Sequence, residues 1–129
     1  MKLVDADVIL RFLLSDNPEK ALKRRNLLLS SDEYLHITEL ALAEVIWVME
    51  SSYGVSKEDI ASRTLRLVSS PRIDFTDREL LEQALVLYRE HNVSFIDAYH
   101  TALGRRAGHE VIYSYNRDFE RLKFPRLEP

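Results

Sequence analysis

Short apolar segments alternate with longer segments of helical periodicity along the chain. Four aliphatic or aromatic runs predict β-strands at Lys2–Val4, Tyr34–Ile37, Ile73–Phe75 and Val111–Tyr113, and we expect the first to be buried. The segments between them carry apolar residues every three to four positions, which predicts helices. Strands that alternate with helices indicate a parallel sheet, in which ligands bind beyond the carboxyl ends of the strands.

Capping residues indicate where the predicted helices begin and end. Thr38, Ser56 and Ser94 precede helical segments and are expected to be N-caps. Gly54 and Gly108 follow helical segments and are expected to end them. The helices predicted in this way cover residues 8–14, 18–29, 38–53, 56–70, 77–91, 94–107 and 119–122.

Length and composition indicate a single domain over residues 1–129, since 129 residues is the usual length of one domain. Hydrophobic residues make up 46% of the chain and charged residues 30%, which excludes intrinsic disorder. Cysteine is absent, so disulfides and thiolate metal sites are excluded. Neither a signal peptide nor an apolar run of about 20 residues is found, so we expect a cytoplasmic protein without a membrane segment.

The net charge of −3 by itself points away from a nucleic-acid partner. The charges are, however, unevenly distributed. Residues 32–60 hold seven acids and one base, whereas residues 104–129 hold six bases and four acids. An acidic total of this kind is compatible with a metal pocket and an acidic flank, and it does not exclude a nucleic-acid partner.

Acidic side chains occur at positions where a parallel sheet would place a site. Asp5 follows the first strand, where it is either a helix N-cap or a ligand. Glu44 is the one polar residue in the segment Leu40–Met49, so we expect it to be buried. A buried carboxylate needs a cation, which leaves a salt bridge to an arginine, a metal or a catalytic role.

Three further candidates lie in the second half of the chain. Asp97 either closes a capping box with Ser94 or belongs to a site, and Asn116 and Asp118 follow the fourth strand as turn formers or ligands. His100 lies three residues after Asp97 and is either structural or close to the same site. Hard oxygen ligands that converge in one pocket suit Mg²⁺ or Mn²⁺, which is typical of phosphoryl transfer.

Four segments in this order carry a family resemblance. They are Val4–Leu10, Leu42–Val48, Phe95–Leu103 and Tyr113–Phe119. The chain resembles PIN-domain proteins and, more narrowly, the VapC ribonuclease toxins of type II toxin–antitoxin systems. The resemblance implies a three-layer α/β/α sandwich with a central parallel sheet. It also implies a Mg²⁺- or Mn²⁺-dependent endoribonuclease that cleaves single-stranded or looped RNA, forms a homodimer and is blocked by a cognate antitoxin.

The resemblance also implies roles for individual residues. Asp5 and Asp97 would be metal ligands, and Glu44 would hold the metal or its water or act as a base. Ser114 matches a residue that steadies the first acid. Two positions differ from the family: Asn116 stands where an acid is usual, and Asp7 stands where asparagine is frequent. The remaining candidates are Asp118 as a compensating ligand and four arginines as RNA contacts or solvated surface charges: Arg11, Arg105, Arg106 and Arg117.

Two other interpretations remain open. The segment Asp5-Ala6-Asp7-Val8 resembles the first motif of haloacid-dehalogenase-type phosphatases, in which Asp5 would be a nucleophile. Alternatively, Asn116 in place of an acid would fit a catalytically degenerate PIN domain that binds RNA or a partner without cleavage.

Overall fold

The computed structural model describes residues 1–14, 18–26, 32 and 34–129. These residues form two compact units, Met1–Arg78 and Glu79–Pro129. A single domain over residues 1–129 stays a prediction. In the described part of the chain, every helix is too short or too polar to cross a bilayer.

The N-terminal unit pairs three short strands in parallel. Strand β1 (Lys2–Leu3) pairs with β2 (Leu35–His36), and β2 pairs with β3 (Ile73–Asp74). Four helices connect or follow these strands: α1 (Ala6–Leu14), α2 (Pro18–Arg25), α3 (Glu39–Ser51) and α4 (Lys57–Val68). Helix α1 packs against α2 and α3, and α3 packs against α4. The predicted helical residues 27–29 lie outside the described part of the chain.

Apolar side chains of α1, α3, α4 and the strands β2 and β3 form the core of this unit. The fully buried members include Ile9, Leu35, Ile37, Leu42, Ile46, Met49, Ile60, Leu67 and Ile73. Strand β1 differs from the prediction of a buried strand, because Lys2 and Leu3 are both exposed and only the next residue, Val4, is buried. A two-residue strand at the edge of its sheet has neighbours on one side only.

The C-terminal unit pairs two strands in parallel, β4 (Ile112–Tyr113) and β5 (Arg126–Leu127). Its helices are α5 (Arg78–Glu90), which starts at the unit boundary, α6 (Phe95–Ala107) and α7 (Asp118–Arg121). Strand β5 was not predicted, because a two-residue strand with one apolar side chain carries no periodicity. The core of this unit includes Leu81, Ala84, Leu85, Tyr88, Ala98, Phe119 and Phe124.

The predicted N-caps are confirmed. The hydroxyls of Thr38, Ser56 and Ser94 each accept a hydrogen bond from the backbone N–H three residues later, over 3.1–3.2 Å. Gly108 ends α6 in the left-handed conformation, with φ 74°. Gly54 also has a positive φ of 60°, three residues after α3 ends. Because Ser94 begins α6, Asp97 is fixed in its first turn.

Candidate active site

The predicted site residues are divided between the two units. The N-terminal unit contains Asp5, Asp7, Arg11 and Glu44, and the C-terminal unit contains Asp97, His100, Arg105, Arg106, Ser114, Asn116, Arg117 and Asp118.

Asp5 lies at the N-terminus of α1, directly after β1. Its carboxylate accepts a hydrogen bond of 2.8 Å from the backbone N–H of Ala6, and its carbonyl accepts from the N–H groups of Val8 and Ile9. The predicted capping position is therefore confirmed. Asp5 is exposed, so capping leaves its carboxylate accessible to a ligand. Two residues later, Asp7 forms an ion pair with Arg11 over 3.3 Å.

Glu44 is exposed, so the prediction of a buried carboxylate was wrong. Helix α3 buries only the side that carries Leu42, Val45, Ile46 and Met49. Leu40 and Trp47, which share the Glu44 side of the helix, are 84% and 66% exposed. Burial therefore gives no reason for Glu44 to bind a cation. Among the described residues, no arginine forms the alternative salt bridge with it.

A hydrogen-bonded group in the C-terminal unit joins four of the predicted residues. The Asn116 side-chain amide donates to Oδ2 of Asp97 over 2.8 Å. The Asn116 carbonyl oxygen accepts from the backbone N–H of Asp118 over 3.0 Å. The Ser114 hydroxyl accepts from the backbone N–H of Asn116 over 2.9 Å. Hydrogen bonds within the loop after β4 thus hold Asn116 in place, and the nitrogen of its side-chain amide points towards Asp97 in α6.

The pKa of Asp97 is raised above the ordinary value of an aspartate, and burial is the largest cause. The negative charge of Asp118 raises this pKa further, while the hydrogen bond from Ser94 and the charge of His100 lower it. Asp97 and Asp118 are therefore close enough to repel each other. A bound cation would relieve this repulsion.

Arg126 supports the loop that carries Ser114 and Asn116. The sequence identifies it only as one of the six basic residues in the segment 104–129. Its guanidinium donates to the Ser114 carbonyl over 3.0 Å. It also forms ion pairs with Glu120 over 3.1 Å and with Glu128 over 2.9 Å. A sequence signal for this role was absent, because it depends on the unpredicted pairing of β5 with β4.

Three of the four predicted RNA-binding arginines have partners within their own unit. Arg11 pairs with Asp7, Arg105 donates to the Leu122 carbonyl, and Arg106 pairs with Glu79 over 2.9 Å. Arg117 is exposed, and its side chain forms no hydrogen bond or ion pair with another described residue.

Each unit carries carboxylates of the kind that a hard divalent cation prefers. Asp97 and Asp118 supply carboxylate oxygens in the C-terminal unit, and Asp5 and Glu44 supply exposed carboxylates in the N-terminal unit. Among the described residues, three or more acids or histidines are nowhere brought together as a metal-binding group.

Residues 2–125 match the PIN domain, and the chain therefore belongs to the PIN-domain family. A VapC ribonuclease from Aquifex aeolicus is 25% identical over 132 positions, which cover 100% of this chain and 97% of that protein. The crystal structure of VapC20 from Mycobacterium tuberculosis, described as a sarcin-ricin loop cleaving toxin, is 22% identical with a TM-score of 0.42 over the whole of both chains.

These comparisons confirm the resemblance to PIN-domain proteins of the VapC type. The predicted PIN-like α/β/α fold class is confirmed by the family match, and the strands of each unit pair in parallel. The described strands form two sheets, one in each unit, rather than the single central sheet of the prediction. The alternative resemblance to haloacid-dehalogenase-type phosphatases has no support, because the PIN match includes the segment on which it depended.

Proposed function

We propose that this chain is a divalent-metal-dependent endoribonuclease that cleaves single-stranded or looped RNA and acts as the toxin of a toxin–antitoxin pair. The observation that carries the proposal is the match of residues 2–125 to the PIN domain. The likeness to a VapC ribonuclease along the full chain supports the ribonuclease assignment. The toxin assignment rests on the family resemblance of the sequence.

In this proposal Asp5 and Asp97 hold Mg²⁺ or Mn²⁺, Asp118 is a further candidate ligand, and Glu44 either holds the ion or its water or acts as a base. When bound, the ion supplies an activated water and stabilises charge on the phosphate. Asp97 must be ionised to bind a cation. Burial is the largest cause of its raised pKa and the charge of Asp118 is a further one, so a bound cation would favour the ionised form of Asp97.

The chain's own residues would position the RNA and move the proton. Glu44 is exposed and is the candidate base for the attacking water. Attack on the phosphorus with loss of the 3′ oxygen gives a 3′-hydroxyl and a 5′-phosphate. Arg117 is the best placed of the four candidate arginines to bind an RNA phosphate, because the other three already have protein partners.

Substitution of the candidate ligands tests the proposal. Asp5→Asn, Glu44→Gln and Asp97→Asn should each lower Mn²⁺-dependent cleavage of single-stranded RNA by about 100-fold or more, as expected when charge stabilisation at the reacting group is lost. Asp59→Asn removes an exposed carboxylate outside the site and should leave cleavage unchanged. Equal activity of Asp97→Asn and wild type would contradict the proposed site.

A catalytically degenerate PIN domain is a second candidate for the function of this chain, because Asn116 stands where the family usually has an acid. The comparison of wild type, Asp5→Asn and Asn116→Asp separates the two. If wild type and Asp5→Asn are equally inert while Asn116→Asp cleaves RNA, the natural chain binds RNA or a partner without cleavage.

We also propose a homodimer and a cognate antitoxin as partners, on the family resemblance alone. Light scattering of the purified chain should give twice the monomer mass of 15.1 kDa. Co-expression with the product of a small adjacent reading frame should give a complex that no longer cleaves RNA. A monomer would contradict the proposed homodimer. A complex that keeps full cleavage activity would contradict the proposed antitoxin.

A further inference from the structure

The orientation of the Asn116 amide is determined by its two partners. The backbone N–H of Asp118 can only donate, so the Asn116 atom that faces it over 3.0 Å is the carbonyl oxygen. The ionised Asp97 carboxylate can only accept, so the Asn116 atom 2.8 Å from it is the nitrogen. Both contacts require the same orientation of the Asn116 side-chain amide.

This orientation matters for metal binding, because an amide can ligate a hard cation only through its carbonyl oxygen. That oxygen already accepts from Asp118, and the nitrogen points at Asp97. Ligation of an ion held at Oδ2 of Asp97 would require the side chain to turn over, because the nitrogen and not the oxygen faces that atom, and both hydrogen bonds would then be lost. The Ser114 hydroxyl accepts from the Asn116 backbone N–H over 2.9 Å and so fixes the part of the loop from which this side chain projects.

We propose that Asn116 is a positioning residue: it holds the Asp97 carboxylate by donating a hydrogen bond to Oδ2 and does not itself ligate the metal. The inference rests on the proposed function in one respect only, that Asp97 is a metal ligand. A neutral donor at this position keeps Asp97 oriented without a third negative charge beside Asp97 and Asp118. Ligand-orienting hydrogen bonds of this kind typically contribute about 10- to 100-fold in metal affinity.

The first measurement uses metal-free protein. In ¹H–¹⁵N spectra, Asp97→Ala should shift the side-chain amide protons of Asn116, because their acceptor is removed. The side-chain amide of Asn92, an exposed asparagine of the same unit, should not respond. Asn116 signals that are insensitive to Asp97→Ala would overturn the inference. Asp97→Ser is a second variant should Asp97→Ala fold poorly.

The second measurement is Mn²⁺ binding followed by electron paramagnetic resonance. Asn116→Ala should weaken Mn²⁺ binding by about 10-fold, whereas Asn92→Ala should leave it unchanged. A purely structural role for Asn116 would not change the affinity, so equal affinities of Asn116→Ala and wild type would overturn the inference.

The third measurement separates positioning from ligation. If Asn116 only positions Asp97, the backbone N–H of Asp118 stays protected against hydrogen exchange when wild type is saturated with Mg²⁺. Loss of that protection would show that the carbonyl oxygen has moved to the ion and would overturn the inference. Wild type that passes all three tests but cleaves no RNA would contradict the proposed function alone. Wild type that cleaves RNA but fails them would contradict the inference alone.

Discussion

At the scale of single residues, the environment of Asp97 shifts its protonation equilibrium. Burial and the charge of Asp118 raise its pKa, so the carboxyl group keeps its proton to a higher pH than an ordinary aspartate. The folded state then binds this proton more tightly than the unfolded chain. The resulting contribution to stability is present at low pH and is lost as the pH rises through the folded pKa.

This environment predicts how Asp97 titrates in metal-free protein. Asp118→Asn removes one cause of the shift, so the pKa of Asp97 should fall towards the ordinary value without reaching it, since burial remains. The measurement is a ¹³C titration of the Asp97 carboxyl group. Glu110→Gln, a change at an exposed acid of the same unit, should have no effect. An unchanged or higher pKa in Asp118→Asn would contradict this explanation.

A second residue, Thr101, is fully buried on α6, and its hydroxyl has no hydrogen-bond partner among the described residues. Thr101→Val removes this unsatisfied group and keeps the shape of the side chain. It should raise the free energy of unfolding by about 1 kcal/mol, measured by urea denaturation.

Thr64 provides the matched control for that substitution. It is also fully buried in a helix, but its hydroxyl donates to the Ile60 carbonyl over 2.7 Å. Thr64→Val should therefore be neutral or destabilising. Equal effects of the two substitutions would contradict the assignment of an unsatisfied hydroxyl at Thr101.

Sequence reasoning found the candidate residues but not their surroundings. Ser94, Asp97 and Asn116 were identified because capping residues and turn formers have local signatures. The hydrogen bond between Asn116 and Asp97 joins residues 19 positions apart, and no local pattern encodes it. The exposure of Glu44 was missed for a related reason, since apolar residues around a helix do not show which side is covered.

At the scale of elements, helix α6 is the structural support of Asp97. Its beginning was predictable because the Ser94 cap is local, and its end was predictable because Gly108 adopts a positive φ. Strand β5 was not predictable, although Arg126 in that strand holds the Ser114 carbonyl. The elements encoded by local periodicity were thus predicted, and the short strand that depends on pairing was missed.

The packing of α6 depends on a close contact at Gly104. A Cβ atom added there would lie 2.5 Å from the ring of Phe124, which is itself buried. Gly104→Ala should therefore lower the free energy of unfolding by about 1–3 kcal/mol, although alanine is the better helix former. The measurement is again urea denaturation.

A compensating substitution tests whether this contact is the cause. Leucine at position 124 is smaller than the aromatic ring, so Phe124→Leu should be less destabilising in the Gly104→Ala background than in wild type. Additive losses in the double variant would show that the cost of Gly104→Ala arises elsewhere.

At the scale of the whole molecule, membership of the PIN-domain family means that the acidic net charge no longer points away from a nucleic-acid partner. The charge of −3 includes the acids that are proposed to hold a cation, and the basic excess in residues 104–129 includes Arg117. Family membership was predictable because four short motifs occur in order along the chain, and the match over residues 2–125 confirms it. The RNA sequence that is cleaved has no comparable signature.

The central claim is that the chain is a metal-dependent endoribonuclease, and a circular single-stranded RNA tests it most directly because it has no ends for an exonuclease. Wild-type protein should linearise the circle in Mn²⁺, leave a 5′-phosphate at the new end, and stop when the metal is chelated. Asp97→Asn should leave the circle intact over the same period. Circles that stay intact with wild type in Mn²⁺, or that open equally well without metal, would contradict the account.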